Sequence, residues 1–219
     1  MSLEIGLLTF IPILIAIILH EIAHGYVAYL LGDSTAKNRG RLSLNPLHHI
    51  DILGTILLPV LLWLCHAGFI FGWARPVPIN PYNLKKRPRD EILVASAGIL
   101  MNLCLACLFA FILYFAYYIP ISYIKGVVSL FCVNMIIINV GLAVFNAIPI
   151  PPLDGSKILF GWINKPWAIK YLSSDRYGLV VMVFLLFILP AIGNCIGVDL
   201  DIIRNYMIFT THSICSFLM

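Results

Sequence analysis

The chain has 219 residues, 61% of them hydrophobic and 11% charged, with a formal net charge of +4. A soluble domain carries roughly 25% charged residues, so the composition excludes a soluble globule and marks an integral membrane protein. The length fits one domain, 1–219, and the apolar runs below are of helical length, so an all-α polytopic membrane protein is expected. The small positive excess offers no reading as a nucleic-acid partner.

About 20 apolar residues cross a bilayer as a helix, and the first run, Ile5–Leu31, meets that length. Its start lacks the basic n-region and small-residue cleavage site of a signal peptide, so it reads as a retained span. Within it, IAIILHEIAHGYVAYLL (15–31) sets His20, Glu21 and His24 in hydrocarbon, where ionisable residues are costly and mark function. On a helix the two histidines project from one face, about 6 Å apart along the axis. Two imidazoles so placed converge on one tetrahedral zinc, with Glu21 beside them to accept a proton from the attacking water. A catalytic zinc needs a third protein ligand.

Lys37, Arg39 and Arg41 follow. RGRLSL (39–44) is expected to be a short strand beside the site, and RPVPIN (75–80) to line it. Together they predict a small β-hairpin whose exposed edge pairs with unwound substrate, bringing Leu42, Pro76 and Asn80 to the substrate. His48, His49 and Asp51 read as a solvated loop rather than a second metal site. The second apolar run, Ile52–Phe71, joins two basic segments, and Pro59, Gly68 and Gly72 permit a break. It is predicted to be a re-entrant hairpin, or a crossing helix that returns as extended chain beside a wet cavity. His66 in this run has no assigned role. Lys85–Arg89 reads as a contact to anionic lipid headgroups.

Ile92–Ile119 and Val127–Ile148 are the next predicted spans, with Tyr117, Tyr118 and, further on, Trp162 as interfacial anchors. Pro149, Pro151 and Pro152 then forbid regular helix. Of the ten acidic residues, only Glu21 and Asp154 fall at membrane depth, which makes Asp154 the candidate third ligand. Its alternative role is the N-cap of a helix beginning near Ser156. Asn146 opens the proline-rich stretch and is a candidate contact to substrate or oxyanion, or else an amide that holds the broken backbone. Tyr177–Ile196 is the fifth predicted span, and Ile202–Met219 a borderline sixth. The six cysteines read as apolar packing, and Cys104 with Cys107 lacks the second pair a structural zinc would need.

Lys and Arg concentrate in cytoplasmic loops. Twelve of the fourteen lie in three segments (37–41, 75–89 and 157–176). Placing these inside orients the first span from outside to inside and sets His24 about 10 Å from its cytoplasmic end.

HEIAH in the first span, followed about 125 residues later by NAIPIPPLDG, resembles the site-2 protease family of intramembrane zinc metalloproteases, whose hallmarks are HExxH and NxxPxxxLDG. SAGILMN, containing Gly98 and Asn102, is similar to the pattern of that family's middle core helix. GRLSLNPLHHID and FGWARPVPINPYNL are similar to the connecting region of its compact bacterial branch, which has neither PDZ nor CBS domain. The resemblance implies one Zn2+ per chain held by His20, His24 and Asp154, with Glu21 as catalytic acid and base. It implies peptide-bond hydrolysis within or next to the transmembrane segments of membrane protein substrates, in a multi-pass cell-membrane protein whose site lies near the cytoplasmic face. The expected fold has about five to six membrane helices, the re-entrant segment and the β-hairpin near the active site. Two other classes compete. Against a catalytically inactive zinc scaffold stands Glu21, since metal binding alone needs no base. A transporter would show paired repeats or ionisable residues spread along a path.

Overall fold

The computed structural model describes residues 3–57, 60–61, 64, 74–163 and 165–219. Helix α1 (Leu3–Leu30) is followed by the single turn α2 (Thr35–Asn38), α3 (Arg89–Ala116), α4 (Ser122–Asn146) and α5 (Asp154–Phe160). Then come α6 (Pro166–Leu172), α7 (Asp175–Ile196) and α8 (Ile202–Leu218). Among the described residues four helices are long and apolar enough to cross a membrane: Gly6–Leu30 of α1, and all of α3, α4 and α7.

The expected spans are met in part, and the expected β-hairpin is corrected. Ile202–Met219 yields a helix of 17 residues, about 26 Å long against a hydrocarbon core of about 30 Å. It packs along α4, with Cys215, Met207 and Ile214 against Ile136, Val140 and Val144, and is not among the four; of the other expected spans, Ile52–Phe71 lies mostly outside the described residues. Nor is there any strand among the described residues: Arg39–Leu44 is turn and irregular chain, and residues 74–80 are irregular chain without a ladder. Pro76 and Pro78 lack the N–H that a ladder needs. A side chain joins the two segments instead, with Arg41 Nη2 donating to the carbonyls of Arg75 and Pro76 at 2.8 and 3.3 Å. The predicted re-entrant segment Ile52–Phe71 begins as a helical turn, Ile52–Leu57. Most of the remainder, with Pro59, His66, Gly68 and Gly72, lies outside the described residues.

α1, α3 and α4 form the core of the bundle, with α3 packed against both partners and against α5. Small residues allow this approach: Ala16, Ala23 and Ala28 on α1, and Ala95, Ala97, Gly98 and Ala106 on α3, are all buried. Without a hydrophobic difference between lipid and leucine, close backbone packing is what associates such helices. Larger side chains such as Leu100, Leu108, Phe111 and Ile137 face outward, as a lipid-facing surface requires.

Polar backbone groups in hydrocarbon must find partners, and one repair is visible at Pro12. Proline inside α1 removes the N–H that would have bonded to the Leu8 carbonyl. Asn134 Nδ2 from α4 supplies the missing donor at 2.9 Å. A break in one helix is thereby mended by its neighbour.

Candidate metal centre

His20 and His24 lie one turn apart on the buried face of α1, and Asp154 is the first residue of α5. Their Nε2 atoms are 3.0 Å apart. Asp154 Oδ2 stands 3.4 Å from His20 Nε2 and 3.1 Å from His24 Nε2. Among the described residues no other three His, Cys, Asp or Glu side chains converge in this way.

The tautomers follow from what lies behind the rings. His24 Nδ1 is 2.7 Å from the Val94 carbonyl, an acceptor only, so Nδ1 carries the proton and Nε2 the lone pair. His20 Nδ1 is 2.6 Å from Asn102 Oδ1. The Asn102 amide is oriented in turn: its Nδ2 donates to Asn139 Oδ1 at 2.9 Å, and Asn139 Nδ2 donates to the Met135 carbonyl at 2.8 Å. This chain of amides across α3 and α4 leaves His20 Nε2 with its lone pair as well. Asp154 Oδ2 is buried with no hydrogen-bond donor. Three lone pairs thus meet in a buried site, which is unfavourable unless a cation lies among them.

The donor set fits zinc. Ligand bonds of about 2.0–2.1 Å in a tetrahedron separate the ligand atoms by about 3.3 Å, close to the spacings here. Two imidazoles and one carboxylate leave a fourth position open, as in catalytic zinc sites. Backing each histidine by an amide or carbonyl fixes its ring and raises its basicity.

Local sequence explains how the carboxylate arrives. α4 ends at Asn146, and Pro149, Pro151 and Pro152 prevent its continuation. The chain turns through short backbone bonds, Ile150 N–H to the Ile148 carbonyl and Leu153 N–H to the Ile150 carbonyl, both 2.9 Å. Tyr171 hydroxyl donates to the Pro149 carbonyl at 2.6 Å. The backbone of Gly155 then folds against Ala147: a Cβ there would lie 2.2 Å from the Ala147 carbonyl oxygen. Leu153 occupies the N-cap position of α5, and the Asp154 carboxylate turns to the imidazoles rather than capping the helix. Gly98 closes the site from α3. A Cβ at this position would lie 2.4 Å from His24 Nε2 and 2.5 Å from His20 Cε1.

Glu21, half-buried beside the histidines, accepts a hydrogen bond on Oε2 from the Val77 N–H at 2.7 Å. Residues 75–80 therefore do reach the site, though not as a strand. Leu42 and Val77 together cover Gly25, the residue after His24 and one turn beyond Glu21. The Pro76 carbonyl faces Arg41. The Asn80 side chain accepts from Tyr82 N–H at 3.1 Å and its own N–H donates to Asp33 Oδ2 at 2.6 Å. Asn146 Nδ2 donates to the Leu142 carbonyl at 3.0 Å, one turn back along its own helix.

Asp33, fully buried just past α1, ties this segment down. Burial pushes its carboxyl up, but donors from Thr35, Asn83 and the Asn80 backbone outweigh that and hold it below the usual carboxylate range. His48 is exposed as expected of a solvated loop, whereas His49 is buried and its Nε2 donates to the Ser43 carbonyl at 2.8 Å. Sequence reading passed over Asn139 and the bridging role of Arg41. An amide inside an apolar run was the available signal for Asn139; nothing in the sequence marks Arg41 apart from its basic neighbours.

The amide chain has a testable consequence. Asn102→Leu keeps the branched outline of the side chain but leaves His20 Nδ1–H without its acceptor and Asn139 Oδ1 without its donor, and is expected to weaken zinc binding about 10- to 100-fold. Competition with a chromophoric chelator measures it.

The pattern that defines peptidase family M50 matches residues 117–189. Over 184 aligned residues the chain is 39% identical to a Bacillus subtilis (strain 168) protein named "Putative zinc metalloprotease YwhC", covering 82% of this chain and 80% of that one. It is also 30% identical to "Putative zinc metalloprotease Rip2" of Mycolicibacterium smegmatis, over 83% of this chain and 66% of that protein. No solved structure matches the chain. Similarity across four-fifths of a relative's length, joined to a His-His-Asp centre set among membrane-crossing helices, is sufficient: the chain belongs to peptidase family M50, the site-2 protease family, and is a membrane metallopeptidase.

Proposed function

We propose that this chain is a zinc peptidase that hydrolyses peptide bonds within or next to the transmembrane segments of membrane proteins, in the manner of regulated intramembrane proteolysis. The observation that carries the reading is the convergence of His20, His24 and Asp154 inside the bundle, with Glu21 pinned beside them. When bound, zinc supplies a water activated near neutral pH and polarises the scissile carbonyl. Glu21 accepts the proton from the attacking water and passes it to the leaving nitrogen. One C–N bond breaks, one C–O bond forms, and both protons of the water are accounted for in the acid and amine products. Because Oε2 is occupied by the Val77 N–H, Oε1 is the oxygen that carries the proton.

A substrate helix must unwind before it can be cut, and its freed amides then need partners. The segment 75–80 lies beside Glu21 and supports a substrate-lining role for Pro76 and Asn80, with Leu42 at its edge. Pro76 and Pro78 offer no N–H, so pairing with the substrate backbone falls to carbonyl groups of this segment. Asn146, the last residue of α4 before the proline-rich turn, is assigned a contact to the bound chain or its oxyanion, for which its amide would have to leave the Leu142 carbonyl. The three basic segments support a site near the cytoplasmic face of a multi-pass protein in the cell membrane.

The decisive test compares wild type with Glu21→Gln. The amide keeps an acceptor for Val77 but cannot accept the water proton. Metal analysis should return one zinc per chain in both proteins, while cleavage of a single-span reporter falls by about 10² to 10⁴ in the variant. Equal cleavage by both would end the reading.

A further inference from the structure

We propose that Arg41 is a positioning residue for Glu21, acting through the segment that presents the Val77 N–H to it. The inference rests on the proteolytic reading above, in which Glu21 is the base, and assigns the device that aims that base.

Glu21 has three side-chain torsions, and an imprecisely placed base is a poor one. The bond from Val77 N–H removes that freedom, provided Val77 itself stays put. Four contacts hold it. Its side chain, buried, packs into the notch left by the missing side chain of Gly25. Downstream, Asn80 N–H is anchored on Asp33 Oδ2 at 2.6 Å. Upstream, Arg75 N–H donates to the His49 carbonyl at 2.8 Å. Closest to Val77 in the chain, the Arg41 guanidinium clamps the Arg75 and Pro76 carbonyls at 2.8 and 3.3 Å. The Pro76 carbonyl belongs to the same peptide group as the Val77 N–H, so the clamp sits on the other end of the plane that touches Glu21. Peptide planarity transmits the constraint. One rigid unit therefore links guanidinium, peptide and carboxylate.

A segment held only for substrate binding would show itself in KM, whereas a segment that aims the base shows itself in kcat. The test uses the full chain, zinc-loaded in detergent micelles, and a single-span reporter that the wild type cleaves. Arg41→Ala is expected to lower kcat about 10- to 100-fold with zinc stoichiometry unchanged. KM should stay within about twofold. Arg41→Lys, whose ammonium reaches the same carbonyls without the planar fork, should recover part of the loss. Val77→Pro removes the N–H itself, and because both changes break one link, the double variant should lose no more than Val77→Pro alone. Hydrogen exchange of the Val77 amide in metal-free protein gives a readout independent of turnover: it should be slow in wild type and fast in Arg41→Ala.

Unchanged kcat, a rise in KM alone, loss of zinc, or fully additive effects would each overturn the proposal. Should Val77→Pro fail to fold, the two Arg41 variants and the exchange measurement still decide. A Glu21→Gln control run in parallel separates the two levels. If it cleaves like wild type, the hydrolase reading itself fails; if it is inactive while Arg41→Ala is fully active, only the positioning role is lost.

Discussion

Replacing Asp154 by Asn should strip the centre of metal and end proteolysis while leaving the helices in place. The substitution keeps the shape of the side chain but removes its charge. In the native site that carboxylate is buried within 3.4 Å of both imidazole nitrogens and would supply the anionic ligand beside two neutral ones. A divalent ion in a buried site depends heavily on such compensation. Changing an outer-sphere partner commonly costs about 10- to 100-fold in metal affinity, so loss of the charged ligand itself should exceed about 100-fold. Zinc analysis after gel filtration in the presence of a weak chelator would show at least a fivefold drop in bound metal if affinity falls from tight to about micromolar. Stoichiometric zinc in the variant would remove Asp154 from the ligand set.

Gly98→Ala should be nearly as damaging, although the residue has no side chain. The added methyl carbon would stand 2.4 Å from His24 Nε2 and 2.5 Å from His20 Cε1, far inside van der Waals contact. Neither ring can retreat without giving up its bond to Val94 or Asn102. Overpacking of this kind costs about 1–3 kcal/mol, and here it falls on the metal-binding atoms. A loss of zinc affinity of at least about tenfold should follow, with cleavage falling in parallel. Gly141→Ala on α4 is the matched control: nothing lies within 4 Å of a Cβ there, and alanine favours helix over glycine by about 1 kcal/mol. Equal zinc affinity in the two variants would show that Gly98 is not the close-approach point.

Much of the centre was legible because chemistry and hydrophobicity conflict at these positions. His20, Glu21 and His24 stand in a run that otherwise reads as lipid-facing helix, and their fourfold spacing alone puts both rings on one side. Asp154 was legible by elimination, as an acid at depth beyond a turn that three prolines enforce. The supposed β-hairpin failed for an equally local reason. The prolines of residues 75–80 were read as excluding helix, but a strand also needs partners for its N–H groups. Two prolines withdraw theirs, Val77 gives its own to Glu21, and Asn80 gives its own to Asp33. Backbone groups spent on side chains cannot form a ladder.

Membrane residence, the order of the long apolar segments and the identity of the metal-binding chemistry are local properties, set by side-chain type and by periodicity along one helix. Which amide backs His20, how Asn139 orients that amide, why α3 carries no side chain at residue 98, and how Arg41 comes to bear on Glu21 all depend on atoms separated by tens of residues in the chain. Contacts of that kind have no period and no composition. Only the packing of α1 against α3 and α4, and the docking of residues 75–80 onto the end of α1, brings them into existence.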